Sequence, residues 1–102
     1  MRTYILEGKN PVRCHDPLQW STWMASAPTQ VAKTAVGETT VSTAFLGIDP
    51  GNGTSAPWLF ETMVFGGELD KAMERYCTWS EAEAGHKTMV QRVKALASTG
   101  EK

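Results

Sequence analysis

Long apolar runs are missing from this chain. No stretch approaches the roughly 20 consecutive apolar residues that a helix needs to cross a bilayer. The first residues, Met1 to Glu7, also lack the apolar segment of a secretory signal peptide. The sequence therefore predicts a cytoplasmic protein with no membrane association.

Cysteine and an excess of positive charge are missing as well. The chain has two cysteines, Cys14 and Cys77, which are too few for a disulfide framework and are expected to be free thiols in a reducing compartment. Ten Lys and Arg against 11 Asp and Glu give a net charge of -1. With no overall positive field to attract phosphates, nonspecific nucleic-acid binding is disfavoured.

What remains is an ordinary globular composition. The chain has 102 residues, of which 41% are hydrophobic and 21% charged. That length supports one core and is too short for two. We predict a single domain over residues 1–97 and a frayed tail over residues 98–102.

Capping residues and apolar spacing predict two helices. Asp16 can cap a helix that has Pro17 in its first turn and ends at Ser26. The second helix is amphipathic and ends near Ala97, and Gly85 inside it suggests close approach to a strand. Two capping-box spacings compete for its start, Thr78 to Glu81 and Ser80 to Glu83, and the sequence does not choose between them.

Short apolar and β-branched runs separated by turn residues predict the strands. The expected architecture is α+β, in the order ββαββββα, with a curved antiparallel sheet of about six strands and both helices packed on one face. The six runs are Thr3 to Leu6, Val12 to Cys14, Val31 to Val36, Thr40 to Ile48, Trp58 to Phe65, and Ala72 to Cys77.

Residues able to carry chemistry are present, but not in recognisable motifs. Four residues could bind zinc or form a Cys-His pair, although they have no metal-knuckle spacing: Cys14, His15, Cys77 and His86. Four carboxylates near two predicted strands could serve acid-base chemistry: Glu61, Glu68, Asp70 and Glu74. We predict no catalytic residue, no metal and no cofactor, and retain a small enzyme using these groups as an alternative.

A small nucleic-acid-binding module is the other alternative. Basic residues with tyrosines among them could line one strand surface, although no RNA-recognition motif is present. The basic residues are Arg2, Lys9, Arg13, Lys33 and Arg75, and the tyrosines are Tyr4 and Tyr76.

Features of a protein-binding surface are more prominent. Four tryptophans are many for a chain of this length, and at least one is expected to be partly exposed. Trp58 follows the Gly-, Asn- and Pro-rich segment 49–57, which is expected to be an exposed loop. The predicted partner-binding residues are Asp49, Asn52, Trp58, Glu68, Asp70 and Glu74.

The segment from Trp58 to Val93 resembles a family of short proteins encoded by bacteriophages and prophages. The resemblance lies in the segments Leu59 to Asp70 and Tyr76 to His86, and it extends to Tyr4 to Lys9 and Val41 to Gly47. That family has no settled activity, so the resemblance implies a phage setting in a bacterial cell and no particular reaction. It suggests an accessory protein that binds and redirects or inhibits a bacterial protein, such as an anti-defence factor of the anti-CRISPR kind.

Overall fold

The computed structural model describes residues 1–49 and 56–100. These residues form strands and helices in the order β1 (Arg2–Glu7), β2 (Asn10–Arg13), α1 (Pro17–Ser26), β3 (Gln30–Val36), β4 (Thr39–Phe45), β5 (Ile48–Asp49), β6 (Phe60–Phe65), β7 (Met73–Tyr76) and α2 (Trp79–Gly100).

The strands form two antiparallel sheets. A three-stranded sheet has the order β2-β1-β5, and a four-stranded sheet has the order β3-β4-β6-β7. The predicted α+β class is confirmed. The expected count of about six strands is close to the seven that the described residues form, whereas the expected single sheet is corrected to two sheets.

Gly47 separates the two sheets. The sequence predicted one strand from Thr40 to Ile48, but β4 ends at Phe45, and Ile48 pairs with β1. Gly47 has a φ of +74°, which a residue with a side chain rarely adopts and which redirects the chain. A Cβ on Gly47 would also lie 2.8 Å from the sulfur of Met24, so a larger residue would clash with α1.

The main core lies between α2 and one face of the four-stranded sheet, called here the inner face. Residues directly opposite each other on neighbouring strands point to the same face, and successive residues alternate. The inner face therefore carries fully or almost fully buried side chains from β4 and β6: Val41, Thr43, Phe45, Phe60, Thr62 and Val64. The predicted stripe of α2 packs on them through Ala82, His86, Met89 and Val93, all buried.

Helix α1 contacts β1 of the three-stranded sheet and Phe45 of the four-stranded sheet. Its predicted bounds, Pro17 to Ser26, are confirmed. Asp16 caps the helix by accepting a hydrogen bond from the Leu18 amide at 3.0 Å. The ring of Trp23 packs edge-on against Phe45, with 5.9 Å between ring centroids. The indole of Trp20 donates to the Gly47 carbonyl oxygen at 3.1 Å, which fixes α1 beside the point where the sheets separate.

The structure resolves the choice of cap for α2. The amide of Glu81 donates to Thr78 Oγ1, and Glu81 Oε1 accepts from the Thr78 amide, both at 3.1 Å. This is the reciprocal capping box, so the cap is Thr78 and not Ser80. The helix continues to Gly100, three residues beyond the expected end at Ala97.

The close approach expected at Gly85 is confirmed. A Cβ on Gly85 would overlap the ring of Tyr76, which lies on β7. The Tyr76 hydroxyl continues past the helix and donates to Thr62 Oγ1 on β6 at 3.1 Å. Glycine at this position lets the tyrosine pass between the helix and the sheet.

Candidate functional site

The opposite face of the four-stranded sheet, called here the outer face, points away from the core that α2 covers. It carries the residues that alternate with the core: Lys33, Ala35, Thr40, Ser42, Ala44, Glu61, Met63, Phe65, Met73 and Arg75. Residues that alternate with a core usually face solvent, and most of these are small or polar. One end of the outer face departs from that pattern.

Three large apolar side chains meet at that end. Met63 and Met73 are directly opposite each other on β6 and β7, and Phe65 lies two residues beyond Met63 on the same face. Phe65 is 50% exposed and Met73 is 45% exposed. The name apolar patch is used below for Met63, Phe65 and Met73.

An ion pair borders the apolar patch. Arg75 Nε lies 3.1 Å from Glu61 Oε2, between directly opposed residues of β7 and β6. The side chain of Arg75 is 44% exposed, so solvent screens the pair and its contribution to stability is small. An exposed apolar cluster with a polar rim is the usual composition of a protein-binding surface.

The structure tests the expected exposure of the predicted loop at its two ends. Asp49 was expected to be exposed, but it is 7% exposed, because it belongs to β5 and pairs with Arg2 of β1. Asn52 lies outside the described residues. Trp58 is 54% exposed, which agrees with the expectation that at least one tryptophan is accessible.

The predicted acidic residues lie in and beside β7, and two of them, Glu68 and Glu74, are on the helix side of the sheet and not on the outer face. Glu68 and Asp70 belong to the connection between β6 and β7, and Glu74 is exposed on β7. Asp70 has a structural role, because its Oδ1 accepts from the Gly66 amide at 2.7 Å and closes the turn. Glu68 lines a groove of about 340 Å³ between this turn, the β3–β4 turn and the end of α2.

His86 lies in a buried hydrogen-bond chain beneath the sheet and not in a cleft. Its Nε2 is 2.9 Å from Thr34 Oγ1, and its Nδ1 is 2.7 Å from Thr43 Oγ1. Thr43 Oγ1 is 2.5 Å from Thr62 Oγ1, which also accepts from Tyr76. These five residues are called the threonine–histidine network below.

One assignment of donors and acceptors satisfies Thr62, Thr43 and both ring nitrogens of His86. Tyr76 donates to Thr62, Thr62 to Thr43, and Thr43 to Nδ1 of a neutral His86, whose Nε2–H donates to Thr34. Burial disfavours the charged imidazole and lowers the pKa of His86 below 6.5. Both ring nitrogens are occupied and the side chain is 5% exposed, so His86 has no access to a substrate.

The other reactive groups are dispersed. Cys14 is buried and its thiol points to the Asp16 carbonyl, whereas Cys77 adjoins the cap of α2. The pKa of the Cys77 thiol is raised, first by burial and second by the nearby carboxylate of Glu81. A raised pKa opposes thiolate formation. Among residues 1–49 and 56–100, no three His, Cys, Asp or Glu side chains come together as metal ligands.

The basic residues also occupy separate surfaces. Lys9 lies over the Trp79 ring at 5.7 Å and Arg13 over the Tyr4 ring at 5.6 Å, both on the three-stranded side. Lys33 and Arg75 belong to the two edge strands of the other sheet, and Arg75 is paired with Glu61. In the part of the chain that the structure describes, this distribution gives no continuous basic stripe for a nucleic-acid backbone.

Sequence reasoning missed the apolar patch, although β6 contained a signal for it. The run from Phe60 to Phe65 is apolar at most positions, which makes both faces of the strand appear buried. Glu61 is the one charge in that run, and it lies on the same face as Met63 and Phe65. A carboxylate on that face was the evidence that no helix covers it.

Comparison with known proteins adds no assignment. No protein-family model matches the chain, and the searches found no similar curated protein and no similar solved structure. Within the described part of the chain, neither α1 nor α2 combines the length and the apolar character needed to cross a membrane.

Proposed function

We propose that this protein is a noncatalytic accessory protein that binds a bacterial protein and modulates or inhibits it. The observation that carries the proposal is the apolar patch on the outer face, where Phe65 and Met73 are about half exposed. Exposed aromatic and methionine side chains with a polar rim favour protein binding, since burying them on association removes apolar surface from water.

The geometry of the reactive groups supports binding over catalysis. His86 is enclosed with both nitrogens hydrogen-bonded, and Cys14 is buried. Glu61 is paired with Arg75, and Asp70 with a backbone amide. These four groups of the enzyme alternative therefore have structural partners.

The phage setting and an anti-defence role, of the anti-CRISPR kind, are parts of the same proposal. They rest on the resemblance of the Trp58 to Val93 segment to short phage and prophage proteins. The apolar patch lies within that segment, because Phe65 and Met73 belong to it. The proposed partner is therefore a protein of the bacterial host.

Affinity purification from bacterial lysate tests the proposal. Tagged wild-type protein is expected to retain a stoichiometric host protein at moderate salt, and Phe65→Glu is expected to lose it, because a charge in the patch opposes its burial. Leu18→Glu is the matched control, since Leu18 is 74% exposed on α1, away from the patch. An empty eluate, or equal recovery by Phe65→Glu, would contradict the proposal.

A Trp58→Ala variant in the same experiment tests the predicted loop separately. Trp58 is 54% exposed and precedes β6, so its loss reports whether the partner also contacts that end of the molecule. We expect weaker recovery than with wild type. Unchanged recovery would confine the interface to the apolar patch.

A further inference from the structure

Strand β7 has an open side next to the apolar patch. Among residues 1–49 and 56–100 it pairs only with β6, and it forms one edge of the four-stranded sheet. An edge strand presents unpaired N–H and C=O groups that can bind another extended chain.

The register identifies which peptide groups are available. The Val64 amide donates to the Ala72 carbonyl, so alternate residues of β6, including Thr62 and Phe60, direct their backbone groups to β7. Thr62 is opposite Glu74, and Phe60 is opposite Tyr76. The backbone groups of the intervening residues, Met73 and Arg75, therefore point to the open side.

Those backbone groups have no other partner in the described chain. No backbone hydrogen bond from a turn, loop or cap of residues 1–49 and 56–100 reaches Met73 or Arg75. The side chains of the same two residues lie on the outer face, where Met73 completes the apolar patch. A strand bound here would form backbone bonds and cover the patch through the same residues.

The charge on Glu74 decides against a second copy of this chain as the occupant. Two copies of β7 could pair in antiparallel fashion about a two-fold axis perpendicular to the sheet. If Met73 and Arg75 both exchange backbone bonds with the other copy, Glu74 lies directly opposite Glu74 of that copy. Directly opposed like charges destabilise a strand pair, whereas opposite charges stabilise it. Glu74 is exposed and therefore available to a cation on an incoming strand.

We propose that the open side of β7 binds an extended segment of the partner protein as a fifth strand. The segment carries lysine or arginine opposite Glu74 and an apolar side chain opposite Met73, beside Phe65. This inference rests on the proposed function and names the chemistry of the partner: a basic, amphipathic strand supplied by another protein.

Selection from a displayed library of random heptapeptides tests the strand model directly. On immobilised wild-type protein we expect enriched peptides with alternating apolar residues and a basic residue between them. On immobilised Glu74→Lys protein, we expect the enriched peptides to carry an acidic residue at the position where the wild type selects a basic one. Failure to enrich any peptide, or the same peptides on both proteins, would overturn the proposal.

Proline at position 73 tests the backbone contact. Met73→Pro removes an N–H that points to the open side and removes no ladder bond within the sheet, which is the placement an edge strand tolerates. Met73→Val retains the N–H and an apolar side chain. For a selected peptide we expect about tenfold weaker binding to Met73→Pro than to Met73→Val, the effect of one or two lost hydrogen bonds.

Amide exchange separates a folding defect from a binding defect. In the free protein the Met73 and Arg75 amides are expected to exchange fast while Glu74 and Tyr76 are protected, and the selected peptide is expected to protect the first pair. Protection at any other strand would overturn the assignment to β7. If Met73→Pro retains a lysate partner that Phe65→Glu loses, the binding function stands and strand addition is wrong.

Discussion

His86 is a buried imidazole whose partners are hydroxyl groups and not carboxylates. Burial lowers its pKa in the folded protein below the ordinary value of 6.5, whereas the unfolded chain titrates near that value. As the pH falls below 6.5, the unfolded state therefore binds more protons than the folded state. The free energy of unfolding is expected to fall with pH in this window, by up to about 1.4 kcal/mol per pH unit.

Denaturant unfolding at several values between pH 7 and pH 5.5 measures this slope. His86→Gln is expected to lower stability at neutral pH by about 1–3 kcal/mol, because the threonine partners lose a matched group, and to flatten the slope. His15→Gln replaces the exposed histidine and serves as the control. A slope unchanged in His86→Gln would assign the pH dependence to other groups.

Gly85 gives a second prediction, in which the effect of one substitution on stability changes sign with the residue at position 76. In the wild type, Gly85→Ala is expected to destabilise by about 1–3 kcal/mol, because the new methyl group overlaps the Tyr76 ring and displaces it from Thr62. In a Tyr76→Ala background the clash is gone, and the same change is expected to stabilise by about 1 kcal/mol through helix propensity. Thermal denaturation of the four proteins measures both effects, and a stabilising Gly85→Ala in the wild type would contradict the packing.

Among the elements, the start of α2 offers a test with a control two residues away. Thr78→Ala is expected to cost about 1 kcal/mol, since Thr78 Oγ1 accepts the Glu81 amide. Ser80→Ala removes the competing cap predicted from the sequence and is expected to change stability by less than about 0.5 kcal/mol. Equal losses for the two variants, measured by chemical denaturation, would contradict a cap at Thr78.

Local signals were sufficient to locate both helices and most strands, and to give the bounds of α1. The bounds of α1 followed from Asp16 and Pro17, whose effects act within one turn of the helix. The division into two sheets was missed because it depends on Gly47 meeting Met24 and Trp20 of α1, a contact between residues far apart in sequence. Capping and periodicity report on neighbours in the chain and contain no information about such contacts.

At the scale of the whole molecule, the protein measures 53 × 29 × 20 Å. The shortest dimension matches two layers, one sheet and one helix, at about 10 Å for each layer. The outer face therefore belongs to the surface of the molecule and adds little to its stability. Phe65→Ala is expected to cost about 1 kcal/mol or less, whereas Phe60→Ala, at a fully buried position of the same strand, is expected to cost about 3–5 kcal/mol.

Urea denaturation of Phe65→Ala and Phe60→Ala measures this difference in the free energy of unfolding. The same curves show whether a Phe65 variant is folded under the conditions of a binding experiment. A cost at Phe65 close to that at Phe60 would show that the patch is covered in solution. Glu74→Ala, on the neighbouring strand, is a control in which little apolar area changes.

The candidate site could be predicted only in part for a related reason. The exposure of Trp58 and the acidic region around Glu74 followed from local composition. The meeting of Met73 with Met63 required the register between β6 and β7, which depends on the irregular connection between them and is not evident from either strand alone. Asp49 was assigned to a loop because its pairing with Arg2 joins positions at opposite ends of the described segment 1–49.

The threonine–histidine network has a consequence for the uniqueness of the fold. A purely apolar interface between a helix and a sheet specifies its alignment through packing alone, because methyl groups need no particular partner. If α2 moved by one turn, His86 would leave Thr34 and Thr43, and several buried polar groups would lose their partners at a cost of about 1–3 kcal/mol each. The network therefore contributes conformational specificity: it makes one alignment of helix on sheet the native one and raises the energy of its near neighbours.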